Sequence, residues 1–189
     1  FRDRMLAGVP IVHIAVPRDM LEGMRLPADV VGRPTDLDPT ATLDMAFRLH
    51  PGARRLVIIL GGGERDRLWE KRVRGAVERL SPRVEVEYLA GSPTADILRR
   101  VAALPRHTIV FTPGYFVDGA GRPTNPRDSV RMMAGTSGAP IYVLYATEIG
   151  TGAVGGRWAT FVEMGRETRI IIDRLLGGGP ASSIAVPSA

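Results

Sequence analysis

Aromatic and polar side chains follow the predicted strands of this chain, at positions where their types and spacing suit ligand binding. These residues are Arg65, Asp66, Tyr115, Phe116, Tyr145, Thr147 and Glu148. Because the carboxyl ends of parallel strands meet at one edge of a sheet, we expect these side chains to lie close together. A few aromatic rings with convergent polar groups form a site that binds a small molecule without transforming it.

A glycine run, Gly61-Gly62-Gly63, separates a predicted strand from a predicted helix. The dinucleotide fingerprint would need a further glycine at position 66, which is Asp66, and the lysine and hydroxyl of a P-loop are missing. We expect instead a turn whose exposed amides and helix N-terminus face a polar or anionic ligand group. The alternative is a tight strand-to-helix turn with no ligand.

No catalytic or metal-binding set emerges from the sequence. The stretch around Ser137 lacks the glycine that a nucleophile elbow needs two residues later, since position 139 is alanine. His13, His50 and His107 stand alone, without a second ligand at metal-like spacing, which is typical of structural or surface histidines. The sequence therefore predicts neither an enzyme nor a cofactor or metal.

Composition excludes several other classes of protein. The 189 residues are 44% hydrophobic and 24% charged, contain no cysteine, and have no apolar run near the ~18 residues of a membrane span. The net charge is +5, yet the basic residues of 65–79 alternate with acidic ones. This pattern is typical of a solvated helix face, so we expect no nucleic-acid partner.

Strands and helices alternate along the chain, which predicts βαβ units and a Rossmann-like or flavodoxin-like parallel sheet with helices on both faces. The predicted strands are 9–16, 56–60, 84–89, 108–113 and 140–145, with a short strand at 184–187 as an option. The predicted helices are 39–50, 65–80, 94–104, 126–135 and 157–176. Strand 84–89 alternates in polarity, so we expect it at a sheet edge. The carboxyl ends, where ligands bind, are 16–17, 61–66, 114–116 and 145–148.

Seven short motifs stand in an order and spacing that resemble one family. They are Gly8-Val9-Pro10-Ile11-Val12, Asp44 to His50-Pro51, Arg54-Arg55-Leu56-Val57, Asp118-Gly119-Ala120-Gly121-Arg122, Pro126-Arg127-Asp128, Ala139-Pro140-Ile141-Tyr142 and Gly152-Ala153-Val154-Gly155-Gly156. From about Phe1 to Ala185, the chain resembles ABC-transporter substrate-binding-like domains with a type 1 periplasmic-binding-protein fold. Within that family it is most similar to extracytoplasmic sensor domains that precede histidine kinases in GC-rich bacteria such as rhizobia.

The resemblance implies two lobes that clasp a ligand between them. It assigns 1–26 to the end of the first lobe, 27–39 to a hinge crossing, 40–147 to the second lobe, and 148–189 to a return crossing and a C-terminal helix that packs on the first lobe. About a hundred further residues of the first lobe are then expected ahead of Phe1. A sheet edge left uncovered would favour a homodimer.

The resemblance also implies a function: a periplasmic small-molecule sensor of a two-component histidine kinase, tethered to the inner membrane by segments outside this chain. The alternatives are the substrate-binding protein of an ABC transporter and an enzyme on a Rossmann-like scaffold. The implied ligand-binding residues are Gly63, Arg65, Asp66, Tyr115, Phe116, Tyr145, Thr147 and Glu148.

The expected ligand is a small carboxylate or an aromatic acid. Arg65 would pair with its carboxylate, and Tyr115 and Phe116 would stack on its apolar body. The alternative for Arg65 and Asp66 is a solvent-exposed first helical turn. For Phe116 it is packing of the irregular stretch 114–124 against the sheet.

Overall fold

The structure, a computed structural model, describes residues 7–21, 24–35, 37–80, 84–158 and 160–184. In chain order the elements are β1 (Ile11–His13), α1 (Arg18–Leu21), β2 (Val30–Gly32), α2 (Pro39–Leu49), β3 (Arg55–Leu60), α3 (Glu64–Leu80), β4 (Glu85–Ala90), α4 (Thr94–Ala102), β5 (Thr108–Thr112), α5 (Pro126–Thr136), β6 (Ile141–Val143) and α6 (Phe161–Leu176). Short 3-10 turns lie at Ala146–Glu148 and Ala181–Ser183. The chain divides into two compact units: unit 1 is Phe1–Leu37 with Ala159–Ala189, and unit 2 is Asp38–Trp158.

Unit 2 is built on a four-stranded parallel sheet of order β4-β3-β5-β6. After Arg55, strand β3 is apolar and buried from Leu56 to Leu60, as expected where both faces of a strand are covered. Val57 and Ile59 pack against side chains of α4 and α5 such as Ile97 and Val130, and Ile58 between them is buried as well. The predicted α/β fold with a parallel sheet is confirmed, and β4 lies at the edge where its alternating pattern placed it.

Unit 1 contains a small parallel sheet of β1 and β2, with Ile11 opposite Val30. The core of this unit includes Val31 of β2 and Ile171 of α6. The strand β2 lies inside 27–39, which the sequence analysis assigned to a hinge crossing. Gly32 permits the pairing, because a Cβ there would lie 2.6 Å from ring atoms of His13.

Two element ends and one connection differ from the sequence predictions for physical reasons. Strand β1 stops at His13 because Ala15 takes a left-handed conformation with φ of 58°. The last helix begins at Phe161, not at Arg157, since Thr160 caps it. Val143 donates its N–H to Gly155 O at 2.9 Å, so part of the predicted return crossing lies beside β6.

Smaller differences concern the remaining ends. Strand β6 ends at Val143 where 145 was expected, and α4 ends at Ala102 where 104 was expected. The optional strand 184–187 falls largely on residues outside those the structure describes, and a 3-10 turn precedes it. In the described part of the chain, no helix combines the length and the apolar character that crossing a membrane requires.

Candidate functional site

The buried carboxylate of Asp66 ties together the loops that follow β3 and β5. Its Oδ1 accepts the N–H groups of Gly61 and Phe116, both at 3.1 Å. Its Oδ2 accepts those of Gly63 at 3.1 Å and Val117 at 3.3 Å. Asp66 is only 1% exposed, so it does not lie on the solvated helix face predicted for this stretch. In this conformation it shapes the site, and a ligand cannot reach it.

The glycine loop is held by close backbone contacts within the protein. Gly62 donates its N–H to Val117 O at 2.8 Å, and a Cβ on Gly61 would lie 2.3 Å from that same oxygen. The amides of Gly61, Gly62 and Gly63 are therefore all taken by groups of the protein. A ligand contact through Gly63, as the sequence analysis expected, would need a different conformation of the loop.

Arg65, Phe116 and Tyr145 come together above this loop and are called the Arg65 cluster below. The guanidinium of Arg65 lies 4.1 Å from the centroid of the Phe116 ring, and its Nη2 donates to the Tyr145 hydroxyl at 3.4 Å. The rings of Phe116 and Tyr145 meet edge to face at 6.4 Å. Among the described residues, no carboxylate forms an ion pair with Arg65. The cluster thus presents a charged planar donor fixed against aromatic surface.

Glu148 lies in the turn that carries Tyr145 and is fully buried. Its Oε2 accepts the N–H of Tyr145 at 3.2 Å, whereas its Oε1 has no hydrogen-bond partner within the described structure. Burial raises the pKa of Glu148 to about 7, although hydrogen bonds from the Tyr145 and Leu144 backbone oppose the change. Burial also raises the pKa of Tyr145, and the Arg65 guanidinium acts in the opposite direction.

Tyr115 and Thr147 do not join the Arg65 cluster. Tyr115 is fully buried in the core beside α4 and α5, and its hydroxyl donates to Ser92 O at 2.7 Å. It therefore packs the sheet, and it is not placed to stack on a ligand as predicted. Thr147 is exposed, and its carbonyl oxygen accepts a hydrogen bond from Arg127.

Three residues that support the site were not predicted from the sequence. Trp69 packs edge to face on Tyr145 at 6.2 Å, and its spacing of four from Arg65 on one helix was the available signal. Arg127 binds the carbonyl oxygens of Thr147 and Ile149, which nothing in the sequence indicates. Asp118 accepts three hydrogen bonds at 2.9 Å from Ala120 and Arg122, as an Asp-Gly turn permits. These bonds, led by that from the Arg122 backbone, lower the pKa of Asp118.

Unit 1 has its own cleft at the carboxyl ends of β1 and β2, where the sequence analysis also expected ligand contacts. Its volume is about 350 Å³, and its lining includes Ala15, Arg33, Thr35, Met164 and Glu167. Arg33 and Glu167 form an ion pair at 3.1 Å, so these charges are already compensated. Within the described residues, no group of three or more histidine or acidic side chains could hold a metal ion.

Comparison with known proteins finds solved structures that share the fold of this chain. No family model and no curated protein matches the chain. A ligand-free, open substrate-binding protein with adhesive properties from Clostridium difficile, CD0873, matches with a TM-score of 0.72 and 13% identity over 95% of this chain and 61% of its own. An ABC domain in complex with L-Trp from Streptococcus pneumonia matches with a TM-score of 0.62 and 15% identity over 94% and 60%.

The fold is that of periplasmic binding proteins. A conserved domain protein from Vibrio cholerae O1 biovar El Tor matches as well, with a TM-score of 0.61 and 15% identity over 95% of this chain and 61% of its own. The periplasmic-binding-protein-like fold implied by the sequence motifs is therefore confirmed. The chain spans about three fifths of the length of these solved proteins.

Proposed function

We propose that this chain is the ligand-binding part of an extracytoplasmic protein that binds a small organic molecule without transforming it. The observation that carries the proposal is the Arg65 cluster at the carboxyl ends of β3, β5 and β6. Ligands of parallel α/β sheets bind outside these ends. The binding-protein fold supports the same conclusion, and it favours a binding protein over the enzyme alternative.

The cluster favours a ligand that carries a carboxylate. A guanidinium presents planar, paired donors that match a carboxylate, and Arg65 has no acidic partner among the described residues. Phe116 holds one face of the guanidinium, so its donors are fixed in direction. The aromatic edges of Phe116 and Tyr145 suit an apolar or aromatic body on the same ligand. One structural neighbour has L-Trp bound, a molecule with both features.

Two uses of the binding event follow from different observations. The sequence motifs favour a sensor domain that passes ligand binding to a histidine kinase through the inner membrane. Two structural neighbours, a substrate-binding protein and an ABC domain, favour delivery to a transporter. The same proposal includes three further features. They are a membrane tether in segments outside this chain, a hinge crossing between two lobes, and self-association as a homodimer.

A thermal-shift panel with matched pairs of ligands tests the proposal. Each aromatic carboxylate is paired with an analogue that lacks the carboxylate: L-tryptophan with tryptamine, and L-phenylalanine with phenylalaninamide. A ligand at a hundred times its Kd should raise Tm by about 5 to 10 °C, because it stabilises only the folded state. We expect carboxylates alone to do so. Equal shifts within each pair, or conversion of a compound to product, would contradict the proposal.

Two functional assays of the full-length protein, with the carboxylate found by the panel, distinguish the sensor from the transporter. Kinase autophosphorylation that changes when the bound carboxylate is added supports the sensor. Uptake of that carboxylate that is lost when the gene is deleted supports the transporter. Neither readout depends on the geometry of the Arg65 cluster. A negative result in either assay therefore leaves the proposed ligand binding unaffected.

A further inference from the structure

The carboxyl group of Glu148 stands out because it is buried with half of its hydrogen-bonding capacity unused. The residue is 0% exposed at the end of the 3-10 turn that follows β6. Its backbone N–H donates to Tyr145 O at 3.0 Å, and its Oε2 accepts the N–H of Tyr145 at 3.2 Å. These two bonds close a ring that sets the direction of Tyr145. Its Oε1 has no partner in the described part of the chain.

The charged groups around the turn are engaged elsewhere. On α5, Arg127 binds the carbonyl oxygens of Thr147 and Ile149, while Asp128 pairs with Arg131 at 2.7 Å. From α3, Arg65 reaches the hydroxyl of Tyr145. Among the described residues, no cation forms an ion pair with Glu148.

An ionised carboxylate in these surroundings would be a buried charge without a counter-ion. Such a charge is much more costly to bury than a neutral carboxyl group, even one with a free oxygen. The residue has three ways to avoid this cost: it can hold a proton, attract a cation or leave the interior. None of the described cations pairs with Glu148, and leaving the interior would break the ring that fixes Tyr145.

We infer that Glu148 is a positioning residue that works in its protonated form, and that its ionisation releases Tyr145 from Arg65. Burial places the pKa of Glu148 at about 7, so the change falls near neutral pH. Because this pKa is raised in the folded state, the stabilisation is complete below about pH 4.5 and is lost as the pH rises through 7. Weaker ligand binding above pH 7 then follows, a consequence that rests on the proposed function.

Carbon-13 NMR of the unmodified chain tests the protonation directly and needs no ligand. The chain is labelled at the glutamate side-chain carboxyl carbon and titrated from pH 4 to 9. We expect one glutamate signal to titrate near pH 7. If every glutamate signal has titrated by pH 5.5, the inference is wrong.

Tryptophan fluorescence tests the link to Tyr145. The variant Trp158→Phe leaves Trp69, which packs on Tyr145, as the sole tryptophan. The emission of Trp69 should change as the pH is varied, with a midpoint near pH 7. Adding Glu148→Gln should remove that change, because the amide stays neutral and its oxygen can still accept the Tyr145 N–H. Adding Asp128→Asn, an exposed acid of α5, should leave the change intact.

The two experiments together decide the inference. A transition that persists with the same midpoint in the Glu148→Gln protein, or a flat profile in the parent, would overturn it. All three proteins carry the same histidines, so the comparison isolates Glu148. If Glu148→Gln does not fold, the carbon-13 titration of the unmodified chain decides. Neither result depends on finding a ligand, so a failed ligand panel leaves this inference standing.

Discussion

Neighbouring charged residues in the first turn of α3 have opposite surroundings. Arg65 is exposed and turned toward Phe116 and Tyr145, whereas Asp66 is buried and takes four backbone N–H groups. The sequence identified both as site residues but could not separate their roles. The separation depends on the amide of Phe116, fifty positions along the chain, which no local pattern reveals.

Replacement of Asp66 by asparagine should destabilise the protein strongly. The amide –NH₂ would face backbone N–H groups that the carboxylate now accepts, so two buried donors would lose their acceptor. We expect unfolding in urea to show a loss of about 2 to 4 kcal/mol. We also expect weaker ligand binding, since the loop of Phe116 and Val117 would lose one of its two hydrogen bonds to residue 66.

Asp96→Asn is the matched control for this change. Asp96 occupies the third position of α4, as Asp66 does in α3, but its side chain is half exposed and pairs with Arg99. Its replacement should cost no more than about 0.5 kcal/mol. Equal losses for the two variants would show that the buried bonds of Asp66 contribute nothing special.

Helix boundaries could be predicted where a cap is unambiguous. Asp38 and Asn125 each stand before a proline, and both accept the N–H two residues later, at 2.9 and 3.0 Å. The start of α6 was placed too early because arginine and tryptophan at 157–158 fit a helix. Those residues lie outside the helix, where the Thr42 hydroxyl accepts the N–H of Arg157 at 3.0 Å. The true start is signalled by Thr160 and Glu163, a capping box.

Loss of the Thr160 cap should destabilise α6. Thr160 accepts the N–H of Glu163 at 3.1 Å, and Glu163 accepts that of Thr160 at 3.0 Å. Thr160→Ala should cost about 1 kcal/mol in thermal unfolding at pH 7. These hydrogen bonds lower the pKa of Glu163, so their contribution is present above about pH 4.5 and fades as the pH falls.

Thr168→Ala provides the comparison within the same helix. Thr168 bonds only to the carbonyl of Met164 within α6, and alanine has the higher helix propensity. This variant should be as stable as the native protein or slightly more so. Equal melting temperatures for the Thr160→Ala and Thr168→Ala proteins would contradict a stabilising role of the Thr160 cap.

The two units bury very different amounts of apolar surface. Among the described residues, the core of unit 2 beside α4 and α5 has eleven buried side chains, including Val57, Val110 and Tyr115. The core of unit 1 has three, which are Val31, Ile171 and Ile184. The apolar runs of unit 2 are long, so its sheet could be predicted from sequence. In unit 1 the apolar run 9–16 predicted a strand that is shorter in the structure, whereas the three residues of β2 give a weak pattern and were missed.

Hydrogen exchange should therefore separate the units. Amides of β3 and β5 should exchange more slowly than those of β1 and β2 by a factor of about 100 or more, since local opening is easier where fewer apolar groups are buried. Mass spectrometry of longer, overlapping peptides that span 55–60 and 11–13 measures this difference. Uniform protection across both peptides would mean that the chain opens as one cooperative unit.

Calorimetric titration of the Arg65 variant tests the central claim most directly. The carboxylate with the largest thermal shift is titrated into the native, Arg65→Ala and Arg74→Ala proteins. Arg74 is the matched control, because it lies on α3 and stacks on Tyr88 at 3.8 Å but pairs with Glu70 away from the site. Loss of a charge-assisted bond should raise Kd about 10- to 100-fold for Arg65→Ala alone. An unchanged Kd for Arg65→Ala, or an equal loss in both variants, would contradict the account.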